Sequence, residues 1–334
     1  MDNPNSNSWL PPQLLTESGA ERRVGVEVEF AGVDPWIAAN CIQDHFGGEL
    51  QSNNIFETHI RNTSLGDFLL ELDTAYLKPL GQHLSQFNDD DILETMATEL
   101  ITRAAEQFVP WEIVSPPLPL SRLPEFQSLL EELRLEGALG TRHALHYAFG
   151  IHFNPELPRL NAGTILNYLR AYFCLYEWIV DQEQIDFARK MTPYIKHFDK
   201  SYVQKIVNID YQPSLTELID DYLEDNPTRN RSMDLLPLFT HLDEKRVRRI
   251  VKDDRVKSRP TLHYRLPNCD IDNYKWSLLK PWSEWLMVER LANNNELLLE
   301  ICQRYDTYLD GFGTRFSNEW LKQTSQWIKK LSVE

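Results

Sequence analysis

The sequence predicts an α+β fold built on a largely antiparallel sheet, and three observations carry that expectation. Several segments alternate apolar and polar residues with period two, the signature of a strand with one buried face. Most of these segments fall in the first half of the chain, and a mainly helical stretch follows. One more alternating segment, Thr261 to Leu266, returns after the helices. Strands early, helices late and one late strand fit helices packed on an antiparallel sheet better than a βαβ succession.

The elements follow in order. Residues 1–21 are polar, rich in Asn, Ser and Pro, and read as a loose arm. Val24 to Phe30 alternates strictly: Val24, Val26, Val28 and Phe30 share one face, and Gly25, Glu27 and Glu29 the other. Asp34-Pro35 offers an N-cap with proline in the first turn, and Gly47-Gly48 stops the short helix that begins there. Two strand-like runs flank a hairpin turn at Ser64-Leu65-Gly66-Asp67, and the second, Phe68 to Tyr76, places Leu69, Glu71 and Asp73 on one side. Asp89 to Phe108 has the apolar row Ile92, Met96, Leu100, Ala104 of an amphipathic helix. Trp111 to Ser115 is a short strand ended by Pro116-Pro117, and Leu123 to Leu135 a helix ended by Gly137 and Gly140. Leu145 to Asn154 alternates again, with His146, Ala148, Gly150, His152 and Asn154 on its polar side. Residues 162–256 are mostly helical, and helices near 282–302 and 317–331 close the chain.

Composition narrows the function classes. A chain of 334 residues with 42% apolar content can bury a sizeable core, and a net charge of −16 argues against nucleic acid or an anionic membrane surface as partner. Cys41, Cys174, Cys269 and Cys302 are far apart and form no C-x-x-C pair, which points to a reducing compartment. The start, Met1-Asp2-Asn3-Pro4, lacks a basic region followed by an apolar run, and the most apolar window, Ile165 to Val180, contains Arg170 and Glu177 and is too short to span a bilayer. A cytoplasmic protein is expected.

The polar strand faces hold the chemistry. Glu27 and Glu29 lie on one face with Cα atoms roughly 7 Å apart, and two such carboxylates repel unless a cation or proton lies between them. Glu71 and Asp73, Glu112, His146, His152 and Asn154, and His263 and Arg265 occupy the corresponding positions of the other strands. Hard oxygen donors suit Mg²⁺ or Mn²⁺, an adjacent histidine suits Mn²⁺ or a phosphate, and Arg265 is the natural phosphate clamp.

These segments resemble a known family. Val24 to Phe30 is similar to the G-x-E-x-E-F first strand of the amidoligase family, within the glutamine synthetase and glutamate–cysteine ligase superfamily of carboxylate–amine ligases. Leu70 to Tyr76 resembles its E-x-D-x-S strand, Trp111 to Pro117 its E-[IV]-V-S-P-P strand, and Gly150 to Asn154 its G-x-H-x-H strand. Thr261 to Arg265 resembles the T-x-E-F-R strand that ends the superfamily core. The match covers residues 22–155 well and 258–282 weakly. Two positions depart from the pattern: His263 stands where a glutamate is usual, and Asn154 replaces the second histidine, changes expected to remove metal ligands.

The resemblance implies ATP-dependent amide formation on a glutamine synthetase-like curved antiparallel sheet, with helices on one face and a helical insertion before the last core strand. Residues 22–334 would form one catalytic domain, 162–256 being the insertion and 282–334 the C-terminal helices. Glu27, Glu29 and Glu112 would hold Mg²⁺ or Mn²⁺; His152, with Asn154 beside it, would meet the nucleotide phosphates; Arg265 would neutralise the transferred phosphoryl group; Asp73 would lie on the substrate side. The implied substrates are a carboxylate and an amine, small or peptidic, with a glutamine amidotransferase as a possible partner. Two other readings stand on the same residues: phosphoryl transfer to a guanidino group, and a non-catalytic descendant that binds a metabolite or peptide. Two further features have structural explanations: Lys245 to Arg249 reads as a solvated helix face, and Arg170 with Glu177 as a structural ion pair or a site contact.

Overall fold

The computed structural model describes residues 6–54, 56–72, 110–141, 149–184, 196–311 and 318–332. Within them a nine-stranded open sheet carries nine helices. The strands are β1 (Arg23–Phe30), β2 (Glu49–Asn54), β3 (Glu57–Thr63), β4 (Gly66–Leu72), β5 (Trp111–Val114), β6 (Leu118–Pro119), β7 (Ile151–Pro155), β8 (Met233–Asp234) and β9 (His263–Tyr264). Their order is β2-β3-β4-β5-β1-β7-β9-β8, with β6 also on β1, and every pairing between these strands is antiparallel. The helices are α1 (Pro35–Phe46), α2 (Leu123–Leu135), α3 (Ala162–Gln182), α4 (Lys200–Val207), α5 (Leu215–Asp225), α6 (Leu236–Ile250), α7 (Leu279–Asn293), α8 (Asn295–Asp310) and α9 (Asn318–Leu331).

Alternation decides the faces. Val24, Val26, Val28, Phe30, Leu70, Ile113, Ile151, Phe153 and Tyr264 are fully buried. Two sets of helices cover them. On the β3–β4 side, Phe46 of α1 stacks on Phe68 at 5.5 Å, and Phe68 on Phe126 of α2 at 6.3 Å. On the β7–β9 side, Trp282 and Trp285 of α7 lie 5.2 Å from Phe153 and Tyr264, and Tyr172 of α3 lies 5.9 Å from Tyr264. Helix α3 is wrapped by sheet, α4, α7, α8 and α9, which is why it is apolar nearly all round. No helix of the described residues is long and apolar enough to cross a membrane.

Local chemistry follows the sequence closely. The Asp34 carboxylate caps α1 by accepting from Trp36 N–H at 2.8 Å, with Pro35 in the first turn. The hairpin between β3 and β4 turns at Ser64-Leu65, and Gly66 takes φ +121° where a Cβ would meet Pro116 at 2.9 Å. Arg246 pairs with Asp220 and Asp243 on the solvated face of α6.

Two expectations change. Residues 6–21 are no loose arm: Trp9 is buried, its carbonyl accepts from Trp282 Nε1–H, and Arg22 at the end of the segment is sealed against Glu289. The reason is apolar area at Trp9, Leu10 and Leu14 that the polar composition hides. Arg170 is held by the carbonyls of Ile206, Asn208 and Tyr211, a helix-to-loop tie in place of the expected Glu177 pair. The described residues of 162–256 hold helices α3 to α6, in keeping with a mostly helical stretch, and also the edge strand β8. Asp73, His146, the rest of the Phe68–Tyr76 run, the start of the Leu145 strand and the Asp89–Phe108 helix lie outside the described residues.

Candidate active site

The polar face of the sheet brings the predicted residues together through register. Glu27 of β1 pairs with His152 of β7, Gly25 with Asn154, and Glu29 with Glu112 of β5, which in turn pairs with Glu71 of β4. On the far side of β7, Phe153 pairs with Tyr264, so His263 emerges on the same face as His152. Gly25 makes room for this packing: a Cβ there would lie 3.3 Å from Asn154 Cβ.

His152 is the centre. Its Nδ1 lies 3.0 Å from Glu27 Oε2 and 3.9 Å from Glu112 Oε1, and its Nε2 lies 3.6 Å from Glu29 Oε1. An ionised carboxylate only accepts, so with no cation between them the Nδ1 that faces Glu27 carries the proton, and a metal on that side would displace it. The other Glu27 oxygen, Oε1, accepts from Asn154 Nδ2 at 3.0 Å and from Arg259 Nη1 at 3.2 Å. Glu29 Oε2 accepts from the Gly150 N–H at 2.7 Å. His263 Nε2 lies 3.4 Å from Glu27 Oε2, and the two imidazoles meet edge-on, 5.3 Å apart.

Glu27, His152, Asn154 and His263 are buried, whereas Glu29 and Glu112 are half-buried. Burial depresses the pKa of both histidines, against the pull of Glu27, with Arg265 adding to the effect. Burial works against Glu27 too, but His263 and His152 hold its carboxyl well below the usual range. Around neutral pH the cluster is therefore a carboxylate beside neutral imidazoles, the protonation state that metal ligation needs. Two groups can each converge on one ion: Glu27, His152 and His263, and Glu29, Glu112 and His152, with the ligand atoms of each group within 4.8 Å of one another.

Cationic groups border the cluster on the β8–β9 side. Arg265 Nη1 donates to the Arg229 carbonyl at 3.0 Å. Asp234, the register partner of His263, is fully buried; burial lifts its carboxyl to about 6, against the Leu236 N–H, Arg229 and Arg265. Asn154, expected on the nucleotide, uses its amide to orient Glu27. His263, expected as a lost ligand, stands inside one of the two groups whose atoms could converge on an ion. Sequence reading missed Arg259 and Arg229, which lie in loops where no periodicity flags them.

A family model described as "putative amidoligase enzyme" matches residues 20–287, more than half of the chain and all of the described sheet. The chain belongs to the amidoligase family. Membership marks it as an enzyme of the amide-bond-forming ligase type. No curated protein and no solved structure matches it significantly.

Proposed function

We propose that this amidoligase is an ATP-dependent carboxylate–amine ligase working through an acyl phosphate, on a sheet of the glutamine synthetase kind. The observation that carries the reading is the convergence of Glu27, Glu29, Glu112 and His152 on one sheet face, with Arg265 beside it.

A carboxylate is a poor electrophile. Transfer of the γ-phosphoryl group from ATP to a carboxylate oxygen releases ADP and leaves an acyl phosphate. The amine then attacks the carbonyl carbon, phosphate departs, and the amine loses a proton. The first step needs cations around the phosphates in place of a covalent nucleophile. The donor set fits a divalent metal: ionised Glu27, neutral histidines and a buried His263 Nε2 that faces Glu27 Oε2 at 3.4 Å. Glu27, Glu29 and Glu112, with the histidines, would hold Mg²⁺ or Mn²⁺, which when bound neutralise phosphate oxygens. Asn154 and Arg259 fix the Glu27 carboxylate, Arg265 offers its guanidinium to the transferred group, and Asp73 is assigned to the substrate side. The helices of 162–256 would shape the acceptor pocket and exclude water from the acyl phosphate. In this proposal the carboxylate and amine are small molecules or peptides, and a glutamine amidotransferase partner is the ammonia source.

Trapping tests the reading. With ATP, Mg²⁺, hydroxylamine and a panel of amino acids, peptides and cell-wall fragments, the enzyme is expected to form a hydroxamate and ADP. AMP with pyrophosphate, or phosphorylated guanidino compounds alone, would overturn it.

A further inference from the structure

The two metal-capable groups differ in their donors. Glu29, Glu112 and His152 offer two oxygens and one nitrogen, whereas Glu27, His152 and His263 offer one oxygen and two nitrogens. In the second group Asn154 and Arg259 both bind Glu27 Oε1, which turns Oε2 toward the histidines, 3.0 Å from His152 Nδ1 and 3.4 Å from His263 Nε2. Such hydrogen bonds behind a ligand fix its orientation before the ion arrives.

His263 Nε2 is the second observation. It is buried, and its nearest polar neighbour is Glu27 Oε2 at 3.4 Å, a contact too poorly aligned to count as a good hydrogen bond. A buried ring nitrogen and a carboxylate oxygen spaced in this way, with His152 beside them, leave their ligand atoms converging on one point where a cation would satisfy all three. We propose that Glu27, His152 and His263 form a nitrogen-rich cation site that selects an imidazole-seeking first-row transition ion over Mg²⁺. Imidazole donors suit the later first-row ions, and affinity for such sites rises from Mn²⁺ through Co²⁺ to Cu²⁺ before falling at Zn²⁺, while Mg²⁺ keeps to oxygen and water. His263 is thus the specificity-determining ligand of this chain: a glutamate in its place would return the group to a two-oxygen set. The inference rests on reading the cluster as a metal centre, but not on amide chemistry.

The test uses the full-length metal-free protein without ATP or substrate. Co²⁺ is titrated by its visible absorption and by calorimetry, alone and in competition with Mg²⁺, in the wild type and in His263→Glu. The wild type is expected to bind one Co²⁺ at least 100-fold tighter than Mg²⁺, and His263→Glu to reduce that ratio at least tenfold with its circular dichroism intact. A wild-type ratio within threefold of unity, or a ratio unchanged in His263→Glu, overturns the proposal. Should His263→Glu not fold, X-ray absorption at the cobalt edge of the wild type decides: scattering from two imidazoles supports the site, and none overturns it. Hydroxamate formation is read separately, so loss of the ligase reading and loss of this selectivity are distinct outcomes.

Discussion

Asn154 shows how one residue sets the chemistry of its neighbour. Its amide donates to Glu27 Oε1 from directly above Gly25, where an added Cβ would crowd the Asn154 Cβ at 3.3 Å. Replacing it with aspartate keeps the shape and reverses the interaction, because a second buried carboxylate then faces the first. We expect Asn154→Asp to lose on the order of 2 kcal/mol of stability in a chelator, from the lost charge-assisted hydrogen bond and the new repulsion. A divalent cation should recover most of it. Denaturant unfolding with and without Mn²⁺ checks this, and an unchanged midpoint in the chelator would sink it. The carboxylates and His152 were legible in the sequence because strict alternation on neighbouring strands left them nowhere to point but one face. Arg259 and Arg229 were not, since a loop residue's contacts depend on tertiary approach that no local pattern encodes.

At the scale of elements, the Trp111 to Pro117 segment explains itself once its hydrogen bonds are followed. Strand β5 must end before Pro116-Pro117, which lack N–H groups, yet β1 continues beside it. Ser115 bridges the gap: its N–H donates to the Val26 carbonyl at 2.9 Å, and its Oγ accepts from Val26 N–H at 2.8 Å. Ser115→Ala should strand the buried Val26 N–H and cost about 1–3 kcal/mol. It should also speed hydrogen exchange at that amide. Unaltered stability and exchange would show that the hydroxyl is dispensable. The same accounting explains which strands sequence patterns missed. Glu-Leu-Gln-Ser-Asn-Asn of β2 has one apolar residue, Leu50, and is a strand because it pairs along β3 at the sheet edge. Two-residue β8 lies between helices and exists only through β9. Alternation reports a buried face over several residues: β2 has little of one, and the two buried residues of β8 are too few to alternate.

The whole molecule depends on polar groups buried between the sheet and its helices. Glu289 of α7 accepts from Arg22, Tyr168 and Trp285, and so binds the start of β1 to α3 and α7. A second junction is less balanced. Glu183, just past α3, accepts from the Asn268 N–H and from Lys280 Nζ, and Glu284 of α7 lies against the same lysine, with one carboxylate oxygen buried and unpaired. Burial, then the charge of Glu183, push the Glu284 carboxyl up to about 9, with Lys280 pulling the other way. The unfolded chain releases this proton near the ordinary glutamate value, so between that value and about 9 the folded state binds more protons. Stability therefore falls as pH rises across this window, and the contribution of the proton is complete only below it. Glutamine resembles the protonated acid and can donate to Glu183 at any pH. We expect Glu284→Gln to match the wild type at pH 4.5 and to exceed it by about 1–3 kcal/mol at pH 8, part of the full linkage being absorbed by rearrangement around Lys280. Urea unfolding of both proteins across that range checks it. A Glu284→Gln curve parallel to the wild type would mean that Glu284 is ionised in the fold, with Lys280 as sufficient partner.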